Sequence, residues 1–189
     1  MRIWITLALL LSMASCGADE VEQRRPAAVA EGARGVSVEL AAGWQAAPAS
    51  LTPNLTDPRE VLAVGTYPLR FRETACAHMP GSALEDLGPT DALVTVQERG
   101  VDPGSSWSDF PARPAHFGPE LGAASEASAC APGTRFTDHW FRFSQGDRHF
   151  HVLVAFGPQA SPAVQAQAWA TLDRLRIDPA MTPDWRSSG

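Results

Sequence analysis

The sequence predicts an α+β domain: an antiparallel β-sheet with a short helix and a C-terminal helix packed on one face. Three patterns carry that expectation. Phe136 to Phe156 alternates around Ser144-Gln145-Gly146-Asp147, as a β-hairpin does. Glu60 to Tyr67 and Asp91 to Arg99 read as strands, the first apolar enough to be buried on both faces. Ser161-Pro162 opens a helix with a capping hydroxyl and a proline at its first position. Its Ala168, Trp169, Leu172 and Leu175 recur at helical spacing as one apolar stripe.

The remaining elements follow from local chemistry. Val36-Ser37-Val38-Glu39-Leu40 alternates apolar and polar, the pattern of a half-buried strand. Gly43-Trp44 then turns the chain, and Trp44 is expected to plug the core beside that turn. Ala46 to Pro58 is a loop rich in Pro, Ser, Asn and Thr. Ser82, with Glu85 three residues on, matches a capping box for a short helix that Gly88-Pro89 stops, with Leu84 and Leu87 facing the core. Gly100 to Gly122 is long for a connection, and its Trp107, Phe110 and Phe117 suggest a segment packed down on the sheet. Ala123 to Ala131 reads as an edge strand delivering Cys130.

Within the hairpin, a Gln145-Gly146 turn pairs Phe143 with Arg148, Arg142 with His149, Phe141 with Phe150 and Trp140 with His151. Phe141, Phe143, Phe150, Val152, Val154 and Phe156 then share the core face. Trp140, Arg142, His149 and His151 share the other face. These four residues form the candidate ligand-binding surface, suited to an anionic or aromatic ligand. His149 and His151 can both reach one metal ion, but zinc needs a third or fourth ligand. His139 faces the core in this register, Asp138 and Asp147 reach the pair only with distortion, and Arg142 disfavours a cation. The metal, if any, is therefore left unassigned.

The chain begins with Arg2, an apolar run from Ile3 to Leu11, and small or flexible residues up to Cys16. This is the layout of an export signal, too short to span a bilayer, which needs ~20 residues. Met13-Ala14-Ser15-Cys16 resembles the lipobox of bacterial lipoproteins. The resemblance implies that residues 1–15 are a signal peptide and that Cys16 is acylated, palmitate-type chains holding the protein at a membrane. An ordinary secretory signal is the alternative. Residues 16–34 then form a lipidated, flexible tether, polar enough to stay unfolded and on the order of 20 Å long. Residues 35–179 form the globular domain and 180–189 a loose tail. The strand ending in Gly43-Trp44 and the helix reading Trp169-x-x-Leu172-Asp173-x-Leu175 resemble small PsbP-like lipoprotein domains, which implies a fold and no activity.

All fifteen basic residues are Arg, against 21 acidic ones, and the formal charge is −6. Losing the leader with its Arg2 makes it −7. A domain this acidic excludes nucleic acid as an electrostatic partner. In an exported chain Cys76 and Cys130 are expected to form a disulfide, worth roughly 4 kcal/mol in the chain-entropy model; two buried thiols are the alternative. No phosphate loop, nucleophile elbow or zinc-helix signature is present, so no catalytic residue and no cofactor are assigned. The expectation is an extracytoplasmic, lipid-anchored and non-catalytic domain that binds a small ligand or an envelope protein. A metal-assisted hydrolase using His149 and His151, or an accessory subunit of an envelope complex, are the alternatives.

Overall fold

A computed structural model describes residues 28–74, 79–100, 110–122, 124–125, 131, 133 and 135–181. Nine strands and two α-helices follow in chain order among them. They are β1 (Val29–Glu31), β2 (Val36–Glu39), β3 (Gln45–Ala46), β4 (Arg59–Gly65), α1 (Gly81–Asp86), β5 (Ala92–Arg99), β6 (Ala124–Ser125), β7 (Thr137–Gln145), β8 (Arg148–Phe156), α2 (Pro162–Asp173) and β9 (Arg176–Ile177). A 3₁₀ turn spans Pro119–Leu121. The strands build two antiparallel sheets, β1-β2-β9 and β3-β4-β5-β8-β7-β6, so the α+β class is the one expected.

The large sheet has two covered faces. Val94 and Val96 of β5, Phe141 and Phe143 of β7, and Phe150, Val152 and Val154 of β8 point to one of them. There they pack with Val36 and Val38 of the small sheet and with Ala168, Trp169, Leu172 and Leu175. Phe143 and Phe150 are cross-strand partners, fully buried and stacked with centroids 5.1 Å apart. Ala63, Leu93, Leu153 and Ala155 point to the other face, where Ala83, Leu84 and Leu87 cover them. The two helices therefore lie on opposite faces of the large sheet, not together on one face as expected from the sequence. Alternation explains this, because in β5 and β8 both faces are apolar and each needs its own cover.

Local chemistry accounts for most element ends. Ser161 caps α2, its Oγ accepting from the Val164 amide at 3.3 Å, with Pro162 at the first position. Trp44 is buried beside its turn, and its indole N–H donates to Gln167 Oε1 of α2 at 3.2 Å. The expected capping box of α1 is not formed. The helix begins at Gly81, and Ser82 Oγ instead donates to the Arg70 carbonyl and accepts from the Arg72 amide. Those two bonds tie α1 to the preceding extended segment, so the hydroxyl is committed before it can cap.

The hairpin departs from its expected register by two residues. Gly146-Asp147 is the turn, and the pairs are Gln145–Arg148, Ser144–His149, Phe143–Phe150, Arg142–His151, Phe141–Val152 and Trp140–Leu153. Gly146 takes φ +60° at the first turn position, as a type II′ turn requires. A shift of two keeps every side chain on its expected face, because the strand period is two. Ordered structure also starts before residue 35: β1 pairs with β2 and buries Ala30. A three-residue strand is too short to announce itself by pattern.

One end of the α2-side core is charged. Glu98 is fully buried at the end of β5 and receives Arg148 Nε at 2.6 Å, Arg148 Nη2 at 3.0 Å and Arg34 Nε at 2.8 Å. Arg148 also donates to the carbonyls of Arg34 and Asp178. This cluster joins both sheets and brings the turn before β2 to the segment after β9.

Candidate functional site

Trp140 and Arg142 of β7 and His149 and His151 of β8 stand on the face opposite α2, as the alternation requires. The structure brings Arg142 directly opposite His151 and places Leu153 opposite Trp140. The row that holds Arg142 and His151 continues through Gln97 of β5 to Glu60 of β4. The neighbouring row holds Ser144, His149 and Arg99. Below them the face is polar; beyond Trp140 and Leu153 it becomes the apolar cluster under α1.

Phe110 lies over the polar part. Its ring meets the His149 and His151 rings edge-on, with centroids 5.0 Å and 5.2 Å away, and the Arg142 guanidinium carbon is 5.6 Å from its centroid. The segment after it is pinned along the edge of β7. The Ser144 amide donates to the Pro111 carbonyl at 2.7 Å, and the Arg113 amide donates to the Ser144 carbonyl at 2.8 Å. Arg113 then reaches Gln145 Oε1 and the Leu172 and Asp173 carbonyls at the end of α2, where a cation complements the helix dipole. Phe117 drops onto the other face, against Phe141 and Phe143, and its amide donates to Asp173 Oδ1 at 2.8 Å. The segment thus straddles the edge of β7, with one aromatic ring on each face. The expected packed-down segment is seen from Phe110 to Gly122; residues 101–109, with Trp107, lie outside the described residues.

Electrostatics set the protonation of the pair. Burial, then Arg99 and Arg142, push His151 down to about 4. Burial also lowers His149, opposed by Asp147 and Glu98. Both imidazoles are neutral at pH 7. His151 Nε2 is buried and has no hydrogen-bond partner among the described residues. On β4, burial raises the Glu60 carboxyl, which accepts from the Leu51 amide at 2.8 Å and from Thr52 Oγ1 at 3.3 Å.

Among the described residues no group of three or more His, Cys, Asp or Glu could hold a metal ion. His139 faces α2, its ring 5.3 Å from that of Trp169, so it is on the opposite side of the sheet from the pair. Cys16, Cys76 and Cys130 lie outside the described residues, and so does the segment with the leader. Met79, three residues past Cys76, and Ala131, next to Cys130, are buried in one apolar cluster.

The chain matches no protein-family model and no curated protein sequence.

Sequence reasoning missed Phe110 as the cover of this face and Glu98 with its two arginines. The second was within reach of it. Glu98 follows Val94 and Val96 at strand period, and Arg148 precedes Phe150 and Val152, so both fall on an inward face with opposite charges. No comparable signal marks Phe110, since its placement depends on a long-range pairing with β7.

Proposed function

We propose that this protein is an extracytoplasmic lipoprotein, held at a membrane by acyl chains on Cys16, whose domain binds a ligand without transforming it. The leader residues Arg2, Ile3 to Leu11 and Met13-Ala14-Ser15-Cys16 support the anchor. No helix among the described residues is long and apolar enough to cross a membrane. Several acyl chains would suffice for a stable hold, where one is marginal.

One observation carries the binding half of the reading. Arg142 and His151 stand side by side on a partly covered face, and the buried His151 Nε2 has no partner among the described residues. Native structures rarely leave such atoms unsatisfied, and with the free Arg142 guanidinium beside it this face holds polar groups that the described residues do not pair. Binding is favoured over catalysis because an imidazole held near 4 is a weak base at neutral pH. Among the described residues, neither imidazole hydrogen-bonds to a nucleophile.

The test is acylation at Cys16. The wild-type chain should incorporate labelled palmitate and enter the detergent phase on Triton X-114 separation, and Cys16→Ala should do neither. A Cys16→Ala chain that stays labelled and detergent-bound would overturn the anchor.

A further inference from the structure

His151 stands on β8, which runs between β5 and β7, so its lateral neighbours are fixed by the sheet. Directly opposite it are Gln97 of β5 and Arg142 of β7, with Arg99 one row along and Glu60 of β4 beyond Gln97. Over it lies Phe110, whose ring also meets His149 and the Arg142 guanidinium. The His151 Nε2 is buried there without a hydrogen-bond partner among the described residues. A neutral imidazole tolerates that position. A protonated one carries two N–H donors and a charge, held beside guanidiniums and beneath a hydrocarbon ring.

The Phe110 end of the strap is held at one residue. Ser144 Oγ donates to the Phe110 carbonyl at 3.2 Å, and the Ser144 amide donates to the Pro111 carbonyl at 2.7 Å. From Arg113 onward the hold is firmer. The Arg113 side chain reaches Gln145 and the end of α2, and Phe117 is buried on the other face of the sheet. The strap therefore has a light end over the histidines and a fixed end beyond it.

We propose that the Phe110 end of this strap is an acid-released latch, which swings off the sheet when His151 takes up a proton and uncovers the face of Arg142, His149 and His151. This rests on the reading of that face as the binding surface and adds its regulation. Charging His151 requires water, and the Phe110 end can move aside without breaking a strand pairing. Burial, Arg99 and Arg142 keep the proton off while the latch is closed, so opening and protonation favour each other. Glu60, raised by burial, offers less compensation as acid neutralises it. Asp147 and Glu98 favour the charged form of His149, which adds a second cation under the same ring. The ring gives little in return, since its face is already in contact with Arg142.

The experiment follows the full chain in detergent micelles by NMR from pH 7 to pH 4, with amide exchange read against the intrinsic rate at each pH. Protection of the Ser144 amide should fall by about tenfold to 100-fold, the upper limit being set by the return of His151 from about 4 to 6.5 on opening. It should stay at least about tenfold below that of the Val152 and Val154 amides, which marks a local opening. His151→Gln should lose most of the pH dependence. Phe110→Ala, which removes the cover and leaves His151 in place, should raise the His151 titration midpoint by about one pH unit or more. If His151→Gln fails to fold, the Phe110→Ala titration decides. The inference is overturned if Ser144 protection ignores pH or equals that of Val152 and Val154. It is equally overturned if His151→Gln keeps the full dependence, or if His151 titrates unchanged in Phe110→Ala. These readouts use neither ligand nor lipid label, so they fail separately from acylation at Cys16.

Discussion

Replacing Glu98 with Leu should remove a large part of the domain's stability. The carboxylate is fully buried and both its oxygens receive guanidinium donors, from Arg148 at 2.6 Å and 3.0 Å and from Arg34 at 2.8 Å. Arg148 is itself 3% exposed, so it cannot turn to water when its partner is lost. Breaking such a pair from one side costs about 3–5 kcal/mol, most of it the uncompensated buried cation. With a urea slope of about 2 kcal/mol per molar, that lowers the unfolding midpoint by about 2 M. Replacing Arg148 as well, by Met, removes the stranded charge and leaves the Arg34 and Asp178 carbonyls short of one donor. The double variant should then be at least about 2 kcal/mol more stable than the sum of the two single losses. Urea unfolding of the wild type, both single variants and the double variant closes the cycle. A Glu98→Leu midpoint within about 0.5 M of wild type, or simple additivity in the double variant, would refute the reasoning.

Three further expectations concern pH, covalent closure and packing. His151 is held down to about 4 against an ordinary 6.5, so the folded state binds fewer protons than the unfolded one between those values. Its contribution is complete above 6.5 and is lost as pH falls towards 4, up to about 2 kcal/mol after allowing for its partial exposure. Arg99 and Arg142 face it from the neighbouring strands, and Glu60, raised by burial, acts in the opposite sense. Unfolding midpoints of wild type and His151→Gln from pH 7 to pH 4 isolate the His151 share, which should vanish in the variant. Cys76 and Cys130 are proposed to be joined, as two cysteines in an exported chain; intact mass after alkylation without reductant should show neither thiol modified. Phe150→Ala should cost about 3–5 kcal/mol by calorimetry or urea, because it empties a fully buried stack, whereas Val29→Ala on the exposed side of β1 should fall within about 0.5 kcal/mol of wild type.

Much of the fold was legible because its signals are local. Alternation identified which hairpin residues face the core, and it survived a two-residue error in the turn, since Gln-Gly and Gly-Asp both suit a tight turn and an even slip preserves the faces. The Ser161-Pro162 cap and the burial of Trp44 needed no tertiary information. The α1 cap was misread because the local signature at Ser82 and Glu85 was real, but Arg70 and Arg72 claim the hydroxyl. The small sheet escaped notice because β1 and β9 have three and two residues, too few for a period. In the site, the four facing residues were readable from the hairpin alone. Phe110 was not, since a residue 34 positions from Ser144 in sequence reaches the sheet through the Ser144 hydroxyl and the backbone bonds of Pro111 and Arg113.

The strap along β7 also bears on how copies of this domain behave when crowded. A nine-residue strand rich in aromatics, left at a sheet edge, would offer a ready template for a second chain. Here Pro111 to Arg113 occupies its hairpin end and β6 its opposite end. Between them Gly122 sits so close that a Cβ would come within 2.4 Å of the Trp140 carbonyl oxygen. Only a residue without a side chain lets the strap lie this close, so Gly122 acts as a guard against edge-to-edge aggregation. Under the proposed anchor, tethered neighbours would meet at high local concentration, and that guard would keep the domains apart.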